Sequence, residues 1–406
     1  MLQLTANKVS VMAQKKIQDI YPLSPMQQGM LFHSLLEPNS GAYIIQTAYE
    51  LHGLLDITAF AKSWQQLIDR HAILRTAFVW DSVKQPLQVV GTAAKISLIR
   101  HDWLEVSLSD RQNKLAEFLQ ELRTTGFNLN QAPLMRLDLI EMRSPSAGAS
   151  ASYYQFVWTY HHLLLDGWSV PLLIKELLGY YQSFAQDLNI TLTPAVPYKN
   201  YIAWLKQQDT EQALNFWREE LKDISAPTSL SIAKSKPDLK GSAANYQQCN
   251  LQLSAETTYK LEFLAREYQV TLNTIIQAAW AIILHRYSDS IDLIFGATTS
   301  GRPPNLANAQ SIVGLFINTQ SVRVQIDREQ LLTKWLKQLQ KKQIARQEYE
   351  YISLIDIHRV SDFPLDTALF QSIIVFENYP VESSLKQSLD VLDIRNVQTS
   401  EQTNYP

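Results

Sequence analysis

Two adjacent histidines and a nearby aspartate are the residues whose types and spacing best fit chemistry. His161 and His162 end an apolar strand, Asp166 and Gly167 follow in a loop, and a helix begins just after them. Side chains at such strand-to-helix junctions form the active sites of many α/β proteins. A histidine whose tautomer is fixed by a carboxylate keeps one ring nitrogen that accepts a proton near neutral pH. The spacing therefore indicates proton transfer, with Asp166 as the group that fixes the imidazole.

Two other interpretations of these residues stay open at this point. In the first, His161 and His162 only finish the strand and Asp166 caps a turn. In the second they share a metal ion, which is the weaker interpretation because adjacent strand residues point to opposite faces and no third ligand is near. Because adjacent strand residues point to opposite faces, only one of the two histidines can face a cleft. The chain has no phosphate-binding glycine loop and no Gly-x-Ser-x-Gly turn, so we predict no bound metal and no bound nucleotide cofactor.

The elements that must position these residues are predicted from hydrophobic periodicity. Strands are expected over 41–51, 87–90, 96–100, 135–141, 153–160, 291–298 and around 316–324, and helices over 56–70, 254–268, 272–287, 328–350 and after residue 168. Strand 41–51 alternates and should have one covered face. Ser169 is expected as the N-cap of the helix after the loop, and Gly167 should allow a tight turn.

This order of elements predicts an α/β protein with two mixed lobes. The hydrophobic periodicity weakens between residues 186 and 197. We place the hinge between the lobes there, because few contacts need to cross such a segment. We place a leader or linker at 1–18, an N-terminal lobe at 19–190 and a C-terminal lobe at 191–406. We predict that the C-terminal lobe is truncated at its C-terminus.

Composition excludes several classes of protein. The 406 residues are 46% hydrophobic and 18% charged, with a net charge of -3, so no basic footprint for nucleic acid exists. The single Cys249 cannot form an intrachain disulfide, which favours the reducing cytoplasm. Nothing near Met1 resembles a signal peptide, and the longest apolar run, within 275–284, is too short to cross a membrane. We expect a cytoplasmic protein with no nucleic-acid or membrane partner.

Six short motifs, in order, resemble those of the condensation domain of nonribosomal peptide synthetases. They lie at 24–30, 70–78, 161–167 (His-His-x-x-x-Asp-Gly), 198–204, 301–304 with 313–319, and 370–372 with 376–378. The family is part of the superfamily that includes chloramphenicol acetyltransferase and other acyltransferases that use coenzyme A. The resemblance covers nearly the whole chain from Ile20 onward.

The resemblance implies both a fold and a reaction. The fold is α/β, with two chloramphenicol-acetyltransferase-like lobes of mixed sheets packed with helices, forming a V-shaped pseudodimer with a central tunnel. The reaction joins a donor acyl or peptidyl thioester to an acceptor aminoacyl thioester through an amide bond. Both substrates are held on phosphopantetheine arms, and the chain itself binds no cofactor. The implied partners are an upstream donor carrier protein acting in trans, a downstream acceptor carrier protein and the adjoining adenylation domain.

Site residues carried over from the family are as follows. His162 accepts the proton of the amine or orients the amine, and these two roles stay open. Asp166 is structural and pairs with Arg302 or Arg70, while Gly167 keeps the tunnel open. His161, in the same motif, is also carried over as a catalytic residue. Trp168, Ser169 and Asn318 are candidates for contact with the substrate or tunnel.

Three alternatives share this fold. One is the epimerization subtype, which Trp168 and Ser169 after Gly167 disfavour. Another is a catalytically silent module that recruits partner enzymes, which the intact His162 and Asp166 disfavour. The third is a free-standing acyltransferase that uses coenzyme A. The identity of the joined amino acids and the stereochemistry of the donor are not readable from the sequence.

Overall fold

The computed structural model describes residues 17–38, 40–143, 152–224, 226–230, 248–364, 366–377 and 392–402. The strands are β1 (Ile17–Pro22), β2 (Ile44–Gly53), β3 (Thr76–Val79), β4 (Leu87–Gly91), β5 (Leu98–Asp102), β6 (Met135–Arg143), β7 (Ser152–His161), β8 (Asp292–Thr299), β9 (Asn318–Gln325), β10 (Ile373–Ile374) and β11 (Leu392–Ser400). Most of the leader predicted at 1–18, and Asn378 of the last motif, lie outside the described residues.

Each of the five predicted helices is present, and the described residues contain five more. The helices are α1 (Pro25–Leu36), α2 (Ile57–Arg70), α3 (Leu108–Thr125), α4 (Ser169–Gln186), α5 (Lys199–Leu205), α6 (Thr210–Glu220), α7 (Ala255–Tyr268), α8 (Leu272–Ser288), α9 (Leu332–Gln347) and α10 (Leu354–Arg359). Asp56 caps α2 as predicted, since its side chain accepts a hydrogen bond from the Ala59 amide at 2.9 Å. Helix α9 is shorter at both ends than the predicted 328–350.

Contacts between backbones divide the described chain into two compact units. The first unit comprises the described residues up to Lys206, Arg302–Phe316 and β11, and the second comprises those of Gln207–Gly301 and Ile317–Glu377. The boundary predicted between residues 190 and 191 stays a prediction. Each unit has mixed sheets packed with helices, as the sequence predicted.

The first unit contains a five-stranded sheet. Its strand order is β11-β2-β7-β6-β5, with β5 parallel to β6 and the other pairs antiparallel. Helices α2 and α4 pack on one face, where Phe60 lies edge-on to Phe156 at 5.0 Å and to Tyr181 at 6.2 Å. Burying one side chain of phenylalanine size stabilises a fold by about 1.5–3 kcal/mol. The central strand β7 is thereby held rigidly, and it ends at His161.

Strand β2 is buried on both faces, so the predicted half-covered strand was wrong. Gln46 and Ala48, on the face expected to be exposed, are both buried. The cause is α3, which covers that face: Gln46 Nε2 donates to the Leu119 carbonyl at 2.9 Å, and Ala48 belongs to the same apolar cluster as Phe118. A polar residue in an alternating strand does not require solvent when a helix carbonyl accepts its hydrogen bond.

The second unit contains a three-stranded sheet of order β10-β8-β9. Strand β8 is antiparallel to β9 and parallel to β10. Its two faces are covered by separate apolar clusters, one that includes Phe295 and Trp335 and another that includes Ile294 and Trp217. Alternation along β8 sends neighbouring side chains into different clusters, so a run of apolar residues forms a strand covered on both sides.

Candidate active site

The candidate site lies in the loop of residues 161–168, between β7 and α4 in the first unit, which we call the signature loop. The His161 amide donates to the Leu134 carbonyl at 3.0 Å, and the His162 amide donates to the Tyr43 carbonyl at 2.8 Å. Three consecutive leucines, Leu163, Leu164 and Leu165, are fully buried beneath the loop. Backbone bonds and apolar burial together fix the loop before any functional side chain is considered.

His161 is committed to structure by its own hydrogen bonds. Its Nδ1 accepts from the Leu163 amide at 3.1 Å, so the proton of the neutral ring is on Nε2, which lies 3.2 Å from Ser34 Oγ. Burial, with a smaller contribution from His162, lowers the pKa of His161 from 6.5 to about 3. His161 therefore stays neutral and ties the signature loop to α1, and we interpret it as a positioning residue.

His162 has one ring nitrogen anchored and one free. Its Nδ1 lies 2.7 Å from the Leu165 carbonyl, and because a carbonyl only accepts, Nδ1 carries the proton. In the neutral ring Nε2 is then an acceptor, and we find no hydrogen-bond partner for it in the described part of the chain. The side chain is partly exposed. The expectation that Asp166 fixes this tautomer was wrong, since the carbonyl of Leu165 does so.

Asp166 is a fully buried carboxylate surrounded by donors. Its Oδ1 accepts from the Ser169 amide at 2.9 Å, and its Oδ2 accepts from the Phe316 amide at 3.0 Å. Arg302 Nη2 lies 3.1 Å from Oδ1 and 3.4 Å from Oδ2. Such a carboxylate has its lone pairs engaged and no route to solvent, so its role is to hold segments together.

Arg302, the partner of Asp166, is itself held by hydrogen bonds and a ring contact. Its Nη1 donates to the carbonyls of Ala309 at 2.6 Å and Ile312 at 2.9 Å, and its guanidinium lies 4.3 Å from the centre of the Phe316 ring. Arg70, the other candidate partner, instead contacts Glu176, with Nε 3.0 Å from Oε2. The structure therefore brings Arg302 to Asp166 and leaves Arg70 in a separate cluster.

Ser169 is the first residue of α4, and its predicted role as N-cap was wrong. Trp168 occupies the cap position without a side-chain cap bond. The Ser169 hydroxyl lies 2.8 Å from Asp166 Oδ1 and accepts from the Gly314 amide at 3.0 Å. The hydroxyl is turned toward the carboxylate because it joins the helix start to the 313–316 segment.

Tyr198 and Gly314 complete this arrangement, and sequence reasoning did not assign them a role. A Cβ added to Gly314 would lie 2.1 Å from Tyr198 Cδ2, so only glycine allows the tyrosine ring to pack there. Tyr198 Oη donates to the Leu315 carbonyl at 2.5 Å. The signal available in the sequence was the presence of both residues in family motifs.

Gly167 and Trp168 occupy the partly exposed end of the signature loop. Among the described glycines, those with positive φ are Gly41, Gly53, Gly126 and Gly301, so Gly167 does not use the left-handed backbone. Residues 167 and 168 lie in a turn, and the expectation that glycine allows the chain to turn tightly there stays a prediction. Gly167 has no side chain and lies just before the start of α4, so the proposal that it leaves space for substrate stays a prediction.

Asn318 lies in the second unit and is buried with its amide engaged. Its Nδ2 donates to the carbonyls of Glu350 at 2.7 Å and Ile352 at 2.8 Å, and its Oδ1 accepts from the Thr319 amide at 3.0 Å. Contact with substrate stays a prediction for this residue. Burial raises the pKa of the neighbouring Glu350 to about 7, and a hydrogen bond from Thr299 opposes that rise. Nothing in the sequence singled out Glu350.

No group of three or more histidine, cysteine, aspartate or glutamate side chains in the described ranges is arranged to hold a metal ion. No helix in the part of the chain that the structure describes is long and apolar enough to span a membrane.

Comparisons with known proteins agree with this geometry. A family model described as a condensation domain matches residues 17–406. One subunit of the linear gramicidin synthase of Brevibacillus parabrevis is 44% identical over 390 residues, which is 96% of this chain and 8% of that protein. Tyrocidine synthase 2 of Brevibacillus parabrevis is 34% identical over 401 residues, which is 98% of this chain and 11% of that protein. The chain thus spans a small part of these relatives.

Solved structures show the same fold at low identity. A four-domain nonribosomal peptide synthetase bound to AMP and glycine superposes with a TM-score of 0.76 at 20% identity, covering 96% of this chain and 29% of that chain. The first condensation domain of the calcium-dependent antibiotic synthetase, in complex with a substrate analogue, gives 0.70 at 17% identity, covering 88% and 80%.

Proposed function

The chain belongs to the condensation-domain family, and on that premise we propose that it joins two carrier-bound thioesters through an amide bond. Condensation domains are acyltransferases that form amide bonds in nonribosomal peptide synthetases. The donor would be an acyl or peptidyl thioester and the acceptor an aminoacyl thioester. The observation that carries the proposal is the free Nε2 of His162 in a loop that is otherwise fixed.

His162 supplies an acceptor to the attacking amine. The amine donates a hydrogen bond to Nε2, which orients its lone pair toward the donor carbonyl carbon. As the C–N bond forms, Nε2 takes the amine proton. As the C–S bond breaks, the protonated ring returns that proton to the leaving thiolate. Since Nδ1 is held by the Leu165 carbonyl at 2.7 Å, the ring cannot turn away while this happens.

Asp166 acts through position. The carboxylate lies between the start of α4 and the 313–316 segment, and its contact with Arg302 keeps both in register. The proposal gives it no proton to transfer, because its donors are protein groups that stay in place. Gly167 is proposed to leave room for the substrates beside His162.

The proposed partners follow from the family. The donor carrier protein would act in trans, the acceptor carrier would lie downstream, and an adenylation domain would adjoin in the same synthetase. Substrates reach the site on phosphopantetheine, and the domain itself is proposed to hold no cofactor. A cytoplasmic location is proposed, in keeping with the single exposed Cys249. The V-shaped arrangement with a central tunnel stays a prediction.

The test is amide formation between two loaded carrier proteins, read as intact mass. We expect a condensed peptidyl thioester on the acceptor carrier that requires the chain and is lost with His162→Ala. His52→Ala, a histidine change in β2 of the same unit, is the matched control and should keep activity. Coenzyme A thioesters in place of the donor carrier test the free-standing acyltransferase.

Three outcomes would contradict the proposal. Absence of product with a folded chain and several donor and acceptor pairs would favour the silent recruiting module. Racemisation of a single loaded aminoacyl thioester without condensation would favour the epimerization subtype. Full activity of a folded His162→Ala protein would remove the proposed role of Nε2.

A further inference from the structure

A cavity of about 210 Å³ with charged residues among its lining lies in the first unit, and the reaction proposed above makes no use of it. Its walls come from β1, from residues 70–75 after α2, and from residues 195–199 before and at the start of α5. A single water needs about 10–15 Å³ of such space, so this cavity has room for several waters or a small polyatomic ion.

The charges on its walls are mostly positive. Arg70, Arg75 and Lys199 line the cavity, and Asp19 is the one carboxylate among the lining residues. Lys199 Nζ lies 2.8 Å from Asp19 Oδ2, an ion pair that uses one of the three ammonium hydrogens. The charge of Arg70 is neutralised by an ion pair with Glu176. The sum leaves one positive charge without a partner, and that charge is on Arg75.

Arg75 is the reason to regard this as a site. The residue is 6% exposed, yet its four hydrogen bonds go to the carbonyls of Gly91, Ile68 and Asp69 and to Gln18 Oε1. No described carboxylate oxygen lies within ion-pair distance of its guanidinium. A guanidinium has five N–H donors, so one hydrogen on Nη2 is left over.

Buried charges in proteins are ordinarily paired, because an isolated one is costly in a poorly solvated place. Burial lowers the pKa of Arg75, and the charge of Asp69 opposes this with a smaller effect. The Asp69 carboxylate is itself turned to the Gln65 amide at 2.9 Å. The counter-charge of Arg75 is therefore not supplied by the described side chains around it.

We propose that this cavity binds a small oxyanion, a phosphate or carboxylate group, between Arg75 and Lys199. The anion accepts the remaining Nη2 hydrogen of Arg75 and a hydrogen of the Lys199 ammonium, and it supplies the counter-charge that the guanidinium lacks. Asp19 competes for Lys199 and weakens the site.

Titration calorimetry of the whole chain with inorganic phosphate at constant ionic strength tests the proposal. We expect saturable binding with a dissociation constant on the order of 1 mM. Lys199→Met should weaken it about five- to tenfold, because a charged hydrogen bond is lost at a partly exposed side chain. Asp19→Asn should tighten it about threefold, since the competing carboxylate is removed. Lys62→Met, at an exposed lysine of α2 outside the cavity, is the matched control.

Opposite signs for Lys199→Met and Asp19→Asn, with Lys62→Met unchanged, support the site. A parallel titration with acetate separates a carboxylate from a phosphate preference. Absence of saturation, or equal affinity for Lys199→Met and Lys62→Met, would overturn the proposal. Both substituted side chains are on the surface, so folding is checked by thermal unfolding, and the readout is independent of amide formation.

Discussion

The two ends of the signature loop hold their functional side chains in opposite ways. At residue 166 the carboxylate is fully buried and contacts Ser169, Arg302 and the Phe316 amide. At residue 162 the imidazole is partly exposed, and among the described residues its one ring hydrogen bond is with the Leu165 carbonyl. The difference separates two tasks that a sequence motif merges, because a side chain with every lone pair engaged cannot exchange a proton, while one with a free nitrogen can.

The largest expected effect comes from breaking the buried end. Asp166→Asn keeps the shape of the side chain but leaves Arg302 without a counter-charge in a site that is closed to water. We expect a loss of about 3–5 kcal/mol in the free energy of unfolding, with activity falling in parallel. Denaturant unfolding measures it. Glu105→Gln, in an exposed ion pair with Arg143, should cost no more than about 1 kcal/mol. Equal losses in the two variants would refute the distinction.

The exposed end should respond in activity and not in stability. We expect His162→Ala to slow amide formation about 10²- to 10⁴-fold, the usual range for a lost general base. The free energy of unfolding should change by less than about 1 kcal/mol, because the ring is partly exposed and has one hydrogen bond within the described chain. Single-turnover rates and denaturant curves on the same preparation check both halves. A variant that unfolds as readily as Asp166→Asn would show that His162 is structural.

The pH dependence of stability tests whether His161 has a structural role in the signature loop. Its folded pKa of about 3 lies below the unfolded value of 6.5, so between these values the unfolded chain binds the extra proton. Stability should therefore fall as the pH drops through this window, by about 2 kcal/mol at pH 5 from this residue alone. His161→Gln should flatten that part of the pH profile relative to wild type. An unchanged profile would mean that the pKa of His161 is not lowered on folding.

Ser169→Ala is expected to give the smallest change. It removes the hydroxyl that bridges Asp166 and Gly314 but keeps the backbone bond to the carboxylate, so about 1–2 kcal/mol should be lost. Ser311→Ala, at an exposed serine in the same unit, should stay within about 0.5 kcal/mol. Thermal unfolding of the two variants side by side decides whether the hydroxyl contributes beyond an ordinary surface serine.

Local pattern was sufficient to predict most elements but not the contacts that complete the site. Periodicity placed α2 and β7 because each buries a stripe or face along its own sequence. It failed for β2, because the covering helix α3 contacts the strand from 73 residues further along the chain and the sequence of the strand does not reveal that contact. It also failed for Ser169, whose hydroxyl bonds to a segment far along the chain in preference to its own helix.

The same limit applies to the site residues. The motif named His162 and Asp166, and family resemblance offered Arg302 and Arg70 without choosing between them. The choice depends on where Glu176 lies, because that carboxylate takes Arg70. The tautomer of His162 depends on a backbone carbonyl, which every residue carries and no sequence pattern reveals.

The contact between Asp166 and Arg302 spans 136 residues of sequence, and that between Asp166 and the Phe316 amide spans 150. During synthesis the signature loop therefore emerges long before the segment that completes it. Contacts this distant are formed late, since the intervening chain must be ordered first. We expect a nascent chain stopped short of residue 302 to contain β7 and α4 with Asp166 unpaired, which makes that carboxylate a marker of late folding.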